Sequence, residues 1–382
     1  MSKSVDRRDF IKKTAATGAC VSLLPGAASL LARGQESEEK APPPPPAEKS
    51  RVVEVSAPGV LGEGTRPDKT RLREMVDRGI LALTKKKTLA DAWRCFVKPD
   101  DKVGIKLNSG AGDLFIGTKT PIFEAVIDGV RAAGVPDENI IVWDQVDMYL
   151  QYALKRWKIE KPEEGGIRYI GCTPKLDPNT LDKPLPGYET DPIKFDWGEV
   201  RVAELVANDM TAIINIPVLK DHSCSGVTLA LKNISHAVVN VPWLCHADCC
   251  DPSIADIVNI PCVRDKLRLH ILDGIFGLAD GGPGRQPLTK FFRPEKMLLS
   301  ADPVAIDTIG CEWVVAARKE MEFPPLEEAK NAIDGVKGRS PKHIATAAAY
   351  GLGTNDRNNM EIVRVDFPPM KEEGEESAEE KG

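Results

Sequence analysis

The segment from residue 217 to residue 251 concentrates side chains that bind metals and anions. It holds three of the chain's five histidines and four of its nine cysteines. Imidazoles and thiolates are ligands of zinc, copper, nickel and iron. The ammonium groups of Lys220 and Lys232 lie among them, beside the amide of Asn233. The segment therefore predicts a site for a metal or an anion, without indicating which reaction takes place there.

The end of this segment offers four ligands within six residues, in the pattern Cys245-His246-x-x-Cys249-Cys250. This spacing differs from the paired Cys-x2-Cys knuckles of structural zinc sites. It also differs from the Cys-x2-Cys-x2-Cys run of many iron–sulfur proteins. We expect a loop that supplies ligands to a transition metal or an iron–sulfur cluster. Structural disulfides or buried thiols are the alternatives for the same four residues.

Residues 227–240 have the periodicity of an amphipathic helix. The apolar stripe at i, i+4, i+7 and i+11 consists of Val227, Leu231, Ile234 and Val238. Lys232 and His236 lie on the opposite face, with Asn233 beside them. That face is either solvated or directed at a ligand. Gly226 near the helix start would let a carboxylate or phosphate approach backbone N–H groups.

Short apolar runs that alternate with amphipathic segments predict the framework for these residues. Strands are expected at 52–55, 102–107, 140–143, 212–216, 267–272, 297–299 and 361–365. Helices are expected at 70–83, 121–133, 303–317 and 342–350. Strands separated by helices indicate an α/β fold with a mainly parallel sheet flanked by helices, in one or two lobes.

Polar residues follow several of these strands, at Asn108, Asp144, 217–222, Asp273 and Asp302. Ligands of open α/β sheets bind beyond the carboxyl ends of the strands. We therefore expect these positions to converge on one crevice. Asp302 also precedes Pro303, as a helix N-cap would.

A glycine-rich turn, 277–285, contains Gly282. It lacks the Lys-Ser/Thr pair of a phosphate-binding P-loop. We expect it to form a loop over the crevice.

Charge and composition exclude some classes of protein. The net charge is -6, and no Lys/Arg-rich stretch is interleaved with aromatic residues, so nucleic-acid binding is not expected. The apolar run 15–32 is interrupted by Gly18, Pro25 and Gly26. It is too short and too interrupted for a stable membrane span.

The N-terminus has the pattern of an export signal. Arg7-Arg8-Asp9-Phe10-Ile11-Lys12 is a twin-arginine motif. It predicts the twin-arginine export machinery as a partner and a periplasmic or other extracytoplasmic location. The chain then divides into a signal peptide (1–34), a proline-rich disordered linker (35–50), an α/β domain (51–368) and an acidic disordered tail (369–382).

Several motifs, taken in order, resemble the domain of unknown function 362 family over about residues 51 to 320. They are VGIKLN at 103–108, PVLKDH at 217–222, GVTLALKN at 226–233, Asp273-Gly274, Gly282-Pro283 and SADPVAID at 300–307. Members of that family often carry a ferredoxin module and an iron–sulfur assignment. This chain has no ferredoxin cysteine run, so here only the cysteines of 245–250 support a cluster.

The leading hypothesis is an exported protein with a metal-dependent or redox site. Lys106, Lys220 and Lys232 would hold an anionic ligand, His222 would act as acid, base or ligand, and Asp273 would position a cation or hydroxyl. The other binding residues would be Asn108, Gly226, Asn233 and Gly282, with Cys245, His246, Cys249 and Cys250 on the metal.

Two alternatives remain open. One is a non-catalytic binding module with disulfides in place of the metal. The other is a racemase or epimerase, because His222, Gly226 and Lys232 resemble positions in the N-terminal domain of lactate racemase-like nickel enzymes.

Overall fold

The computed structural model describes residues 49–62, 65–110, 115–160, 165–173, 187–284, 286–333, 335 and 338–370. The expected signal peptide, most of the linker and the acidic tail from residue 371 lie outside these residues.

The described chain alternates strands and helices. The strands are β1 Ser50–Ser56, β2 Val103–Lys106, β3 Ile140–Val146, β4 Arg168–Thr173, β5 Ile193–Phe195, β6 Gly198–Val200, β7 Ala212–Asn215, β8 Val218–His222, β9 Gly226–Thr228, β10 Leu267–Leu278, β11 Phe291–Phe292, β12 Lys296–Ser300 and β13 Met360–Asp366. The helices are α1 Lys69–Thr84, α2 Leu89–Trp93, α3 Thr120–Ala132, α4 Asp147–Trp157, α5 Ala230–Val238, α6 Ser253–Val258, α7 Pro261–Arg264, α8 Pro303–Glu320 and α9 His343–Ala349.

One large sheet has the strand order β13-β1-β12-β10-β7-β2-β3-β4. Strands β10, β7, β2, β3 and β4 are parallel neighbours. Strand β12 runs antiparallel to both β10 and β1, and β1 pairs in parallel with β13. Strand β8 pairs with the carboxyl-terminal half of β10 and forms a hairpin with β9. The expected α/β fold with a mainly parallel sheet is confirmed.

Both faces of this sheet are buried. Successive residues of β3 enter opposite cores, with Ile140 and Val142 on one side and Ile141 and Trp143 on the other. Helices α1, α2 and α3 cover the first face, and α5, α6, α8 and α9 cover the second. Because side chains alternate along a strand, a strand covered on both faces is apolar at every position. This explains the continuous apolar runs in the sequence.

The expected strands and helices are all present, and most of their boundaries differ by a few residues at most. Two boundaries differ for a structural reason. The helix expected at 227–240 begins at Ala230, because Gly226–Thr228 forms β9. Strand β10 continues past Asp273 to Leu278. No helix among the described residues is long and apolar enough to cross a membrane.

Candidate functional site

A cavity of about 410 Å³ lies beyond the carboxyl ends of β2, β3 and β8. Strands and following loops supply one wall, α5 supplies a second, and the short helical segment Leu244–Cys250, here named the cysteine loop, adds His246. The lining residues are Lys106, Asn108, Ser109, Gly110, Asp144, Gln145, Val146, Tyr149, Lys220, His222, Thr228, Lys232, Asn233, His236, Ala237, Pro242, His246, Pro283 and Gly284. The convergence expected of Asn108, Asp144 and the 217–222 segment thus occurs.

Helix α5 turns its polar face into the protein. Lys232, Asn233 and Ser235 are all buried, so this face is not the solvated surface considered from the sequence. The carboxyl group of Asp307 in α8 caps the start of the helix, accepting hydrogen bonds from Ala230 N at 2.6 Å and Leu231 N at 3.1 Å. Such a cap satisfies N–H groups that have no partner inside the helix. The cap fixes the end of α5 that carries Lys232.

A network of amides and one ion pair holds the cavity floor. Lys106 Nζ lies 2.8 Å from Asp144 Oδ1 and donates to Leu107 O. Asn108 Nδ2 donates to Asn233 Oδ1 at 2.9 Å, and Asn233 Nδ2 donates to Asn215 Oδ1 at 2.7 Å. Burial alone would raise the pKa of Asp144, but the ammonium of Lys106 and hydrogen bonds from Ser109 together outweigh burial and lower this pKa. Lys106 is therefore held in place by its ion pair with Asp144.

Lys220 and Lys232 differ from Lys106 in their partners. Lys220 Nζ donates to two neutral acceptors, Asn108 Oδ1 at 2.9 Å and Ile116 O at 3.2 Å. Lys232 Nζ lies 3.5 Å from His246 Nε2. Burial lowers the pKa of both amines, to about 7 for Lys220. Neither forms an ion pair with a carboxylate in the described part of the chain, so both are available to an anion.

Three imidazoles line the same space. The ring centroids of His222 and His246 are 5.5 Å apart and stacked, and His236 meets His246 edge-on at 4.8 Å. Burial lowers the pKa of all three, with the Lys232 ammonium adding to the effect, and His246 falls to about 3. The rings are therefore neutral at neutral pH, which is the form that binds metals.

The tautomer of His222 is set by its backbone contacts. Its Nδ1 accepts hydrogen bonds from Cys224 N at 3.1 Å and Ser225 N at 3.3 Å. The single proton of the neutral ring therefore lies on Nε2. His222 consequently offers the cavity an N–H donor and not a lone pair.

His236, His246 and Cys250 form a candidate metal-binding group. One ligand atom from each lies within 4.8 Å of the other two. His236 Nδ1 lies 3.0 Å from Ser235 Oγ, while its Nε2 is buried and has no hydrogen-bond partner among the described residues. A buried polar atom without a partner is unfavourable and is uncommon in proteins. The donor set of two imidazoles and one thiol therefore fits a metal.

The backbone of the cysteine loop brings Cys250 to this group. Asp248, Cys249 and Cys250 all have positive φ, at 43°, 57° and 65°. Non-glycine residues adopt this left-handed region at an energetic cost, commonly at functional sites. Burial raises the pKa of the Cys250 thiol to about 11, although Lys232 opposes the effect. The thiol would thus lose its proton only on binding a metal.

The other cysteines predicted as ligands lie outside this group. Cys245 is buried, and its Sγ donates to Val241 O at 3.8 Å. Cys249 Sγ donates to Gly338 O at 3.5 Å. Cys245 and Cys250 form no disulfide with any described cysteine.

Three further predicted residues do not line the cavity. Asp273 is buried and accepts from Lys119 N at 2.9 Å and Ile275 N at 3.2 Å. Gly226 has a φ of +79°, and a Cβ there would lie 2.3 Å from Arg339 O. Gly282 N donates to Asp221 Oδ2 at 3.1 Å, while the following Pro283 reaches the cavity. These three residues therefore make contacts within the fold and do not face the cavity.

Asp302 does not join the cavity, contrary to the expected convergence. Strand β12 is antiparallel to β10, so its carboxyl end lies at the other end of the strands, away from the cavity. Asp302 instead lines a separate cavity of about 490 Å³ with Ser50 and Arg51. Its carboxylate caps α8 by accepting from Ala305 N at 2.8 Å, as the Asp-Pro pattern indicates.

The cavity lining also contains Asp144, His236 and Thr228, none of which the sequence predicts as a catalytic, anion-binding or metal-binding residue. The sequence still indicates two of them, because Asp144 follows an expected strand and His236 lies one turn from Lys232 on the same helix face. Thr228 lies on β9, which the sequence pattern did not indicate.

The family model described as "Domain of unknown function (DUF362)" matches residues 103–312, more than half of the 382 residues. The chain belongs to the DUF362 family. All the lining residues of the cavity fall within the DUF362 match. A comparison with curated proteins finds no match.

Among solved structures, the DUF362 chain is similar to a crystal structure of a protein from Thermotoga maritima, a structural genomics target. The TM-score is 0.41 and the sequence identity is 9%, over 66% of this chain and 60% of that chain. The DUF362 chain thus spans about three-fifths of the length of that structure.

Proposed function

We propose that the cavity binds a transition metal through His236, His246 and Cys250, and a small anion beside it. The observation that carries the proposal is the group of three ligand atoms within 4.8 Å of one another. It includes a histidine whose buried Nε2 has no partner among the described residues. Two protein imidazoles and one thiolate would leave a coordination position open, as in catalytic zinc sites.

The donor set favours a single metal ion over an iron–sulfur cluster. Clusters are usually held by four thiolates, whereas the group here contains one thiol. Imidazole and thiolate together suit zinc, nickel, copper or iron. A bound ion would supply a Lewis acid at the edge of the cavity.

The anion would lie between the amines of Lys220 and Lys232. Both amines lack a carboxylate partner among the described residues, and both line the cavity. His222 Nε2–H would donate to the same ligand. Thr228 Oγ1 is buried, lines the cavity and has no partner within the described ranges, so its hydroxyl would also reach the ligand. A carboxylate or phosphate suits these four donors.

The metal content of the protein purified without oxygen and without added metal tests the proposal. We expect about one equivalent of a transition metal per chain, and loss of most of it in His236→Ala. Less than about a tenth of an equivalent of any transition metal, in protein that also takes up none on titration, would overturn the metal site. Non-reducing mass spectrometry of the same sample tests the disulfide alternative directly.

We also propose that the protein reaches an extracytoplasmic compartment by the twin-arginine route. Support comes from Arg7-Arg8 and the residues that follow them. This route carries folded proteins, so a metal could be inserted before export. In cell fractionation, Arg7→Lys with Arg8→Lys should keep the protein in the cytoplasm. Unchanged export of that double variant would contradict the proposal.

A further inference from the structure

Lys220 has an unusual environment for a lysine. It lies on β8, is almost fully buried and lines the cavity. Asn108 Oδ1 and Ile116 O occupy two of its hydrogen-bonding positions, at 2.9 and 3.2 Å. An ammonium group has three such positions. One position of the nitrogen therefore remains for a ligand in the cavity.

Two other buried lysines nearby, Lys106 and Lys119, each pair with a carboxylate. Lys106 Nζ lies 2.8 Å from Asp144 Oδ1. Lys119 Nζ lies 3.8 Å from Asp273 Oδ2 and donates to Gly117 O at 3.1 Å. Lys220 has no such carboxylate partner among the described residues. Both of its occupied hydrogen-bonding positions face neutral oxygen atoms.

The charged groups that face Lys220 come from four parts of the fold. Asp144 on β3 favours the ammonium form, whereas Lys106 on β2, Lys232 on α5 and Lys119 before α3 oppose it. Burial is the largest effect, and together these groups lower the pKa of Lys220 to about 7. A large share of the amine is then neutral at neutral pH, and neutral amines are nucleophiles.

We infer that Lys220 is an amine nucleophile that forms an imine with an aldehyde or ketone carrying a carboxylate. The lone pair of Nζ attacks the carbonyl carbon, and one of the two protons on Nζ passes to the carbonyl oxygen to give a neutral carbinolamine. The nitrogen then loses its remaining proton as that oxygen leaves with a second proton as water. The step consumes no oxidant or reductant. It uses the anion site proposed above but does not require the metal.

Neighbouring residues are placed to assist this step. His222 lies two residues from Lys220 on the same strand, so both side chains point to one face. The Nε2–H of His222 would donate to the carbonyl oxygen, and the ammonium of Lys232 would hold the carboxylate. The lining of one cavity by all three residues supports this division of roles.

Reductive trapping of the purified full chain with glyoxylate and cyanoborohydride at neutral pH tests the inference. Peptide mapping by mass spectrometry would locate the modified lysines. We expect Lys220 to react about 100-fold or more faster than exposed lysines such as Lys87, because exposed amines, with a pKa of about 10.4, are almost fully protonated at neutral pH. The buried, carboxylate-paired Lys119 should stay unmodified. Reaction of Lys220 no faster than Lys87 would overturn the inference.

Two controls separate this inference from the proposed anion site. Lys220→Arg supplies a permanent cation but removes the nucleophile, so labelling of the peptide that carries position 220 should vanish; if that variant does not fold, the map of the unaltered protein still decides. Acetaldehyde, which has no carboxylate, reports the amine alone. If acetaldehyde labels Lys220 as fast as glyoxylate does, the result would support Lys220 as a nucleophile but contradict the anion site. If neither glyoxylate nor acetaldehyde labels Lys220, Lys220 is not the nucleophile inferred here, whatever the metal content of the protein.

Discussion

Lys232 lies where the candidate metal group and the anion site meet. Its Nζ is 3.5 Å from His246 Nε2, and it lies within electrostatic range of the thiols of Cys250, Cys245 and Cys224. An anion held by Lys232 would therefore sit beside a metal bound to His246 and Cys250. This arrangement allows one ligand to contact both.

The role of Cys250 can be tested against a cysteine outside the cavity. Cys250→Ser removes one of the three ligands of the candidate group, so the affinity for zinc should fall by about 100-fold or more. Cys262, which is half-buried and not among the cavity lining, provides the matched control as Cys262→Ser. Competition with a chromophoric chelator measures both affinities. Equal affinities for the two variants would remove Cys250 from the metal site.

The titration of Lys220 predicts how anion binding depends on pH. The pKa of Lys220 is lowered to about 7, so the amine is a cation below this pH and neutral above it. The affinity of the metal-free protein for sulfate should fall by about tenfold between about pH 6 and about pH 8, as one charged contact is lost. Calorimetric titration measures the change. In Lys220→Arg, which stays charged, most of this pH dependence should disappear.

Helix α5 depends on a cap from another helix. Asp307 in the first turns of α8 accepts hydrogen bonds from Ala230 N and Leu231 N. Asp307 lies 77 and 76 residues from these two residues in the sequence. The fold thus connects α8 to the helix that lines the cavity.

Asp307→Ala should therefore affect both stability and the site. Two buried N–H groups would lose their acceptor, at a cost of about 1–3 kcal/mol each in the free energy of unfolding. Sulfate binding should weaken as well, because the start of α5 positions Lys232. Asp302→Ala removes a cap from α8 at the other end of the strands, so it should lower stability by about 1 kcal/mol without changing sulfate binding. Urea unfolding and calorimetry distinguish the two effects.

The sequence predicts those strands whose apolar pattern depends only on their burial. Strands β2, β3 and β7 are apolar at nearly every position because both faces are covered. Strand β8 is not predicted, because Lys220, Asp221 and His222 make it resemble a polar loop. These polar side chains are buried only because distant parts of the chain supply their partners, and no local pattern contains that information.

The same limit applies to the candidate site. The spacing of Cys245, His246, Cys249 and Cys250 indicates ligands but not their directions. The positive φ values of Asp248, Cys249 and Cys250 place Cys250 beside two histidines and leave Cys249 elsewhere. His236 joins the group through the direction in which α5 packs, which depends on the whole fold.

At the scale of the whole molecule, a buried charge network joins parts of the chain that are far apart in sequence. Asp221 on β8 lies 3.3 Å from Arg318 Nη1 and 3.2 Å from Arg339 Nη2. Both arginines also contact Asp280, close to the loop that carries Pro283 to the cavity. Both lie beyond the residues matched to DUF362. Part of the support of the cavity wall therefore comes from outside the family match.

Loss of the central carboxylate should destabilise the molecule. Asp221→Ala would leave two buried guanidinium groups with an incomplete set of partners, which costs about 3–5 kcal/mol in the free energy of unfolding. The exposed pair Lys194–Glu199, at 3.3 Å, supplies the control. Glu199→Ala should change the same quantity by less than about 1 kcal/mol. Urea denaturation of both variants makes the comparison, and similar losses in the two would contradict a structural role for the network.

The pairing of β1 with β12 limits how far the chain can be shortened. Strand β12 lies inside the 103–312 match, but its neighbour β1 lies before that match and β13 lies after it. A chain trimmed to 103–312 would leave the backbone N–H and C=O groups of one side of β12 unpaired. Open strand edges of this kind promote self-association. The stretch matched by the family model is thus smaller than the stretch that pairs this side of β12, and we expect a fragment with that side paired to begin before Ser50 and to include Asp366.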